Sequence, residues 1–270
     1  MTGWTTGFCE SNGIRIHYTR TGGTTPPIVL LHGLSANGAC WSPLARALEG
    51  ECDVVMPDAR GHGKSDKPEQ GYRYIELAND VEGLIKAMQI PSPVLLGHSM
   101  GGLTAALLAS RRPELLRGLI LADPTFIGPA FQREVFESGV ADRHREMLGK
   151  PLEMLVSDAT RKHPGRSAEI VGLLARARLQ TSIRVFDILT PPNPEYMELV
   201  RAIRTPSLLV ISDGGVVSAE TAGEIRRVNP KFRLEQIAGA GHGLQYDQPG
   251  RFAGVVTSFL RSLPPVVTSG

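Results

Sequence analysis

Short apolar runs recur along the chain, and Pro, Gly or a charged residue bounds each of them. The runs are rich in Val, Ile and Leu and occupy residues 28–31, 54–56, 94–96, 119–121 and 208–211. Runs of this length and composition predict buried β-strands. Segments with helix-like spacing of apolar residues lie between them, at about 37–49, 75–89, 100–112 and 218–228. This alternation predicts the α/β class, with a mostly parallel sheet covered by helices on both faces.

Strand-like runs near the two ends of the chain extend this sheet. Residues 14–18 alternate apolar and polar side chains, which predicts an antiparallel pair of strands at one edge. Residues 234–237 form a last strand-like run ahead of a C-terminal helix. We expect the tail from Pro264 to Gly270 to be frayed.

The alternation of strands and helices stops between residues 124 and 204. That stretch carries helical patterns and a Pro-rich segment at 191–194, but no clear strand-like run. We therefore expect a helical cap over residues 124–204, inserted between two strands. The surrounding core is predicted to consist of residues 1–123 and 205–270.

Composition and charge narrow the possible partners and location. The 270 residues are 41% hydrophobic, which suits one large α/β domain with a small insertion. The 29 basic and 27 acidic side chains leave a net charge of +2, so neither nucleic acid nor an anionic membrane is expected as a partner. We find no signal-peptide pattern and no apolar run long enough for a membrane span. Three cysteines without metal-ligand spacing predict free thiols and a cytoplasmic location.

The pattern Gly97-His98-Ser99-Met100-Gly101 follows a strand-like run and precedes a helix rich in Ala and Leu. A serine on a sharp turn from strand to helix has strained backbone, and side chains two residues away would collide there. Glycine on either side removes that collision, and the start of the helix places positive potential at the serine oxygen. Ser99 is therefore the predicted nucleophile.

Acyl transfer to a serine also needs backbone N–H groups that stabilise the negative oxygen of the intermediate. One is predicted at Met100, directly after the nucleophile. The other is predicted at Leu34, in the loop after residues 28–31. His32 lies at the start of that loop, and we expect it to maintain the loop's shape rather than to catalyse.

Seven histidines compete for the role of general base. His242 lies between two glycines in a late loop, after the run at 234–237, and it fits the chain order nucleophile, acid, histidine. His62 is the rival candidate. It precedes Ser99 in the chain, so we interpret it as structural.

These motifs resemble those of the α/β-hydrolase family. The matching segments read HG at 32–33, DARGHGKS at 58–65, GHSMG at 97–101 and GAGH at 239–242. The resemblance implies an eight-stranded, mostly parallel sheet and a triad of serine, acid and histidine. Such a triad needs neither a metal nor an organic cofactor, and none is expected. The motifs say much less about the substrate.

The acid of the triad departs from the usual family pattern. It normally follows the strand after the cap, at a position that Gly215 occupies here. A subset of the family carries it at the end of the strand before the cap, where this chain has Asp123. We favour Asp123 and keep Asp213 as the alternative. Asp123 has a purely structural alternative too, as a cap of the first helix after Pro124.

The serine argues against the epoxide hydrolases and haloalkane dehalogenases of this family, which use aspartate as nucleophile. We expect a small-molecule ester or lactone, since the whole chain resembles esterases that open N-acyl-homoserine lactones. The acid position and the sequence 214–216 resemble N-formylmaleamate deamidases, so a small amide is the alternative. A receptor that binds a small molecule with little turnover is a remote third possibility. The residues predicted to line the pocket are Trp41, Phe126, Phe131, Met154 and Phe186.

Overall fold

The computed structural model describes residues 3–264, and its centre is one eight-stranded sheet. The strands are β1 (Thr5–Ser11), β2 (Ile14–Arg20), β3 (Pro27–Leu31), β4 (Asp53–Pro57), β5 (Val94–His98), β6 (Gly118–Ala122), β7 (Ser207–Gly214) and β8 (Phe232–Gly241). Every apolar run identified in the sequence lies within one of these strands. The tail at 265–270 is outside the described residues.

The order of strands across the sheet is β1-β2-β4-β3-β5-β6-β7-β8. β2 pairs antiparallel with both β1 and β4, and all the other neighbours are parallel. The predicted α/β-hydrolase sheet, mostly parallel with an antiparallel edge, is confirmed. Because parallel strands end at the same edge of a sheet, the loops after β3, β5, β6 and β8 meet at one rim.

Helices cover both faces of this sheet. They are α1 (Ser42–Leu48), α2 (Tyr74–Ala87), α3 (Met100–Arg111), α4 (Pro129–Glu137), α5 (Val140–Leu148), α6 (Leu152–Lys162), α7 (Ala168–Leu179), α8 (Tyr196–Ala202), α9 (Ala219–Val228), α10 (Leu244–Asp247) and α11 (Pro249–Ser262), with short 3-10 helices at Gly38–Trp41, Pro113–Leu115 and Ile183–Leu189. No helix within residues 3–264 is both long and apolar enough to cross a membrane.

Alternate side chains of each central strand enter two separate apolar layers. In β3, Ile28 and Leu30 pack into the layer that contains α1 and α11. Val29 and Leu31 pack into the opposite layer, which contains α2, α3 and α9. Both faces of the strand therefore need apolar residues, which is why the sequence shows continuous apolar runs rather than alternation.

The described chain between β6 and β7 forms only helices, α4 to α8 and the 3-10 helix Ile183–Leu189. Residues of α4 and of this 3-10 helix line a cavity together with Ser99. The helical insertion therefore lies next to the rim where the loops after β3, β5, β6 and β8 meet.

Candidate active site

The turn between β5 and α3 places Ser99 in an uncommon backbone conformation, with φ of 53° and ψ of −117°. A Cβ atom on Gly97 would lie 2.2 Å from the carbonyl oxygen of Gly101. A Cβ atom on Gly101 would lie 2.4 Å from the carbonyl oxygen of Leu31. Glycine is therefore required at both positions, because the backbone approaches too closely for any side chain.

The structure brings Ser99, His242 and Asp123 into one hydrogen-bonded chain. The Ser99 hydroxyl donates to His242 Nε2 over 2.9 Å, and His242 Nδ1–H donates to Asp123 Oδ2 over 2.6 Å. His242 comes from the loop after β8, and Asp123 directly follows β6. This geometry lets the imidazole accept the serine proton while the carboxylate stabilises the resulting positive charge.

The Asp123 carboxylate is completely buried, and backbone N–H groups surround it. Val216 donates to both of its oxygens, at 3.0 and 2.8 Å, and Val217 donates to Oδ1 at 2.9 Å. A Cβ atom on Gly215 would lie 2.7 Å from each of these oxygens. The glycine at the position of the family's usual acid thus leaves the space that the Asp123 carboxylate fills.

The structure places the alternative acid, Asp213, outside this hydrogen-bonded chain. Its side chain is exposed and accepts from Gln236 Nε2 and from the backbone N–H of Gly239, each at 2.8 Å. It therefore joins the ends of β7 and β8 and does not contact His242.

Leu34 and Met100, the predicted oxyanion-stabilising pair, both line the cavity beside Ser99. Within residues 3–264 neither of their backbone N–H groups donates a hydrogen bond to the protein. Unsatisfied N–H groups at the start of a helix and in an adjoining loop are the donors that an oxyanion uses.

Two buried histidines fix the shape of the loop that carries Leu34. His32 Nδ1–H donates to the Gly33 carbonyl, and His32 Nε2 accepts from the backbone of Ala59. His62 Nε2 accepts from the backbone of Ser35, whose φ is +61°. Burial lowers the pKa of His62 to about 3, so it stays neutral and accepts this bond over the physiological range. Both histidines are engaged away from Ser99.

The loop that carries His242 is held at its backbone. His98 Nε2–H donates to the His242 carbonyl over 2.8 Å, and the Ser212 hydroxyl donates to the Gly241 carbonyl over 2.8 Å. The Gly241 N–H donates to Asp247, which also accepts from Arg166 Nε over 2.7 Å. These contacts orient the imidazole without using either of its nitrogens.

Ser99 and His242 open onto a cavity of about 320 Å³. Apolar side chains from the helical insertion and from the loops at the rim dominate its wall: Leu34, Ile127, Phe131, Val135, Val140, Ile188, Leu189 and Val216. Among the described residues, no Asp, Glu, Lys or Arg lines it. This cavity is referred to below as the acyl cavity.

Of the five residues predicted to line the pocket, the structure places only Phe131 at the acyl cavity. The expectation is corrected for the other four, because tertiary packing engages three of them elsewhere and leaves one in solvent. Trp41 is buried in the core against Phe252, and Phe126 is stacked on Tyr196.

Phe186 is buried in a separate small cluster with Tyr72 and Val185. Met154 is exposed on α6.

Thr125, Tyr74 and Gln132 are among the polar residues at the acyl cavity that were not identified from the sequence. The Thr125 hydroxyl lies 3.4 Å from the Ser99 hydroxyl, and Tyr74 also lines the cavity. Gln132 is buried and bridges the wall, donating to the Ile127 carbonyl and accepting from the Asn193 N–H. The position of Thr125 near the site could have been predicted, because it lies two residues after Asp123. The other two are brought to the cavity only by tertiary packing.

Curated relatives of known activity are similar to nearly the whole chain. 2-(Acetamidomethylene)succinate hydrolase of Mesorhizobium japonicum is 24% identical, over 89% of this chain and 90% of its own length. The sn-1-specific diacylglycerol lipase ABHD11 of Mus musculus is 30% identical, over 88% of this chain and 81% of its own length. N-formylmaleamate deformylase of Pseudomonas putida is 27% identical, over 94% of this chain and 96% of its own length.

Solved structures are similar over the same extent. The crystal structure of E-2-(acetamidomethylene)succinate hydrolase matches with a TM-score of 0.84 and 22% identity, over 96% of this chain and 100% of that one. The structure of esterase RhEst1 from Rhodococcus sp. ECU1013 matches with a TM-score of 0.80 and 27% identity, over 96% of this chain and 99% of that one. These likenesses agree with the α/β-hydrolase fold of this chain.

The model of the alpha/beta hydrolase family matches residues 28–255, which include the strands from β4 to β8 and the whole helical insertion. The resemblance found in the sequence motifs is thereby confirmed at the level of the family. The likeness to esterases that open N-acyl-homoserine lactones stays a prediction. This chain belongs to the alpha/beta hydrolase family.

Proposed function

We propose that the chain is a serine hydrolase that cleaves carboxylic esters or lactones through an acyl-enzyme intermediate. The observation that carries the proposal is the hydrogen-bonded chain from Ser99 through His242 to Asp123 at the wall of the acyl cavity. The activities named for the lipase and esterase relatives support it.

The mechanism follows from the positions of the side chains. Ser99 Oγ attacks the carbonyl carbon while His242 Nε2 takes the hydroxyl proton, and the N–H groups of Leu34 and Met100 stabilise the oxyanion. The bond from carbon to the leaving oxygen then breaks, and His242 returns its proton to that oxygen. Water attacks the acyl-serine by the same route, which releases the acid and restores Ser99.

The acyl cavity favours an uncharged, apolar acyl group. A carboxylate in this cavity would lose its hydration without meeting a cationic side chain, which is strongly unfavourable. A volume of about 320 Å³ accommodates a short or medium acyl chain. N-acyl-homoserine lactones, whose acyl chains are apolar, therefore belong in the set of substrates to test.

A small amide is the second candidate. The position of Asp123 and the similarity to N-formylmaleamate deformylase favour it, and the same triad can expel a nitrogen leaving group after protonation by His242. A formyl group is a single carbon and would leave most of the acyl cavity empty. We therefore place ester or lactone hydrolysis first.

A substrate panel tests the proposal. Purified protein is assayed on 4-nitrophenyl esters of acetate, butyrate and octanoate, on N-acyl-homoserine lactones and on small amides, with Ser99→Ala as the matched control. We expect turnover of the esters that Ser99→Ala abolishes. Turnover of amides alone would replace the first candidate by the second, and binding of these compounds without turnover would support a receptor.

A further inference from the structure

A second cavity adjoins the acyl cavity on the other side of His242. It has a volume of about 630 Å³ and shares Leu34 and His242 with the acyl cavity. Most of its remaining wall comes from the loop after β3, from the end of α6 and the turn that follows it, from α7, and from the end of β8 through α10. We call it the basic groove, because Lys and Arg side chains line it, whereas no described Asp, Glu, Lys or Arg lines the acyl cavity.

Cationic side chains outnumber anionic ones in the basic groove. Lys162, Arg166 and Arg178 line it, whereas Asp247 is its only carboxylate among the described residues. Asp247 already accepts from Arg166 Nε and from the Gly241 N–H. The protein as a whole is nearly neutral, so this local excess of positive charge is not a reflection of its composition.

Two cations of the groove, Lys162 and Arg178, have no counter-charge among the described residues, and of these only Arg178 is withdrawn from solvent. Its guanidinium is half-buried and makes no hydrogen bond or ion pair with any residue in 3–264. Burial and the neighbouring charge of Arg166 lower its pKa, although a guanidinium remains charged at neutral pH. A carboxylate or other oxyanion bound in the groove would accept hydrogen bonds from the half-buried guanidinium of Arg178. It would also offset the repulsion between Arg178 and Arg166.

The chemistry of the triad determines which part of a substrate reaches this groove. His242 Nε2 must protonate the leaving oxygen, so the leaving group lies beside His242 once the acyl group fills the acyl cavity. We propose that the basic groove binds a carboxylate carried by the leaving group, with Arg178 as its specificity-determining ligand. This inference rests on the proposed function and deepens it: the preferred substrate combines an apolar acyl group with an anionic alcohol.

Arg166 contributes a second positive charge to the basic groove. Its Nε is occupied by Asp247, and its Nη2 would lie 2.7 Å from a Cβ atom on Gly243, the residue after His242. The outer edge of this guanidinium therefore adjoins the loop of the general base. A carboxylate held by Arg178 would meet a second positive charge on the side nearest His242.

The test compares two esters that differ in one charge. The butyryl ester of 3-hydroxybenzoate carries a carboxylate on the leaving group, and the butyryl ester of 3-hydroxybenzamide is its uncharged counterpart. Both are assayed with wild type, Arg178→Gln, Arg178→Lys and Arg176→Gln. Arg176 is exposed on the same helix and does not line the groove, so its variant is the matched control.

We expect wild type to prefer the anionic ester in kcat/KM, and Arg178→Gln to reduce that preference by at least about tenfold, the usual effect of losing a charged hydrogen bond. Arg178→Lys should retain part of the preference, because it keeps the charge without the bidentate geometry. Arg176→Gln should retain all of it. Equal losses on both esters in Arg178→Gln, or no preference in wild type, would overturn the inference.

A binding measurement separates this inference from the proposed function. Calorimetric titration with 3-hydroxybenzoate and 3-hydroxybenzamide reports on the groove without any chemical step. If neither ester is hydrolysed but 3-hydroxybenzoate binds wild type and not Arg178→Gln, the ester function fails and the anion site stands. If esters are hydrolysed and the two ligands bind alike, the anion site fails and the esterase stands.

Discussion

The two ends of the proposed catalytic triad, Ser99 and Asp123, are built in different ways. At the nucleophile end, neighbours in the chain set the geometry of Ser99, since Gly97 and Gly101 allow its turn and β5 and α3 adjoin it directly. At the acid end, the carboxylate of Asp123 is fixed by Val216 and Val217, more than ninety residues later in the chain.

This difference explains why the two ends differ in how much their sequence reveals. A site whose geometry is set by neighbours in the chain appears in the sequence as a short motif. A site whose geometry is set by residues far apart in the chain appears only as compatible residues at distant positions. The acid site depends on what is absent at residue 215 as much as on what is present at residue 123, because a side chain at 215 would occupy the space of the carboxylate.

The largest effect is expected at the nucleophile end. Ser99→Ala should lower kcat by on the order of 10⁵ to 10⁶, since removal of the nucleophile of such a triad eliminates nearly all of its contribution. Ester hydrolysis by pure variant and wild-type protein measures it. A fluorophosphonate probe should label Ser99 in wild type and leave the variant unmodified. Labelling of another serine in the variant, with activity retained, would refute the assignment.

The next effect is expected at the acid end. Asp123→Asn should reduce kcat by on the order of 10⁴, as in serine proteases, because the amide no longer stabilises the imidazolium or its tautomer. Asp213→Asn is the matched control and should stay near wild type, since its carboxylate contacts Gly239 and Gln236 rather than His242. The reverse pattern would transfer the role of acid to Asp213.

The link between residues 123 and 215 is tested by exchange. Gly215→Ala should reduce kcat/KM by on the order of 10²-fold, because its Cβ atom, 2.7 Å from both carboxylate oxygens, must displace the Asp123 side chain. Gly223→Ala in α9, where nothing lies within 4 Å of the added atom, is the control.

The double variant Asp123→Ala with Gly215→Asp completes the exchange, because it moves the carboxylate to the position usual in the family. It should be more active than Asp123→Ala alone. Equal activity of these two variants would show that the position at 215 cannot support the triad.

The same contrast between local and long-range order limits what the sequence predicts elsewhere. The strands and the turn at Ser99 were predictable because each depends on a continuous run of residues. The pocket was not, because an aromatic side chain in the sequence does not reveal which surface it will pack on. Trp41 lies against Phe252 of α11, more than two hundred residues away, and this contact draws it into the core. The basic groove likewise exists only once α6, α7 and the loop after β8 are together.

The smallest effect concerns His98, the residue before Ser99. This histidine connects the turn after β5 to the loop after β8, which carries His242. Its Nε2–H donates to the His242 carbonyl, and burial together with the nearby His242 lowers its pKa to about 3. An unfolded histidine titrates near 6.5, so between pH 6.5 and pH 3 the unfolded chain binds a proton that the folded chain does not. The contribution of His98 to stability is therefore present above pH 6.5 and is lost as the pH falls.

Between pH 7.5 and pH 5.5 this loss is on the order of 1 kcal/mol in the free energy of unfolding. His98→Gln preserves a donor side chain but cannot take up a proton, so the variant should lose on the order of 1 kcal/mol less than wild type over that interval. Urea unfolding at the two pH values measures the difference. His163→Gln, at a position far less buried, is the control and should behave more like wild type. If His98→Gln and wild type decline equally, His98 is protonated in the folded state, and the bond to His242 cannot depend on a neutral ring.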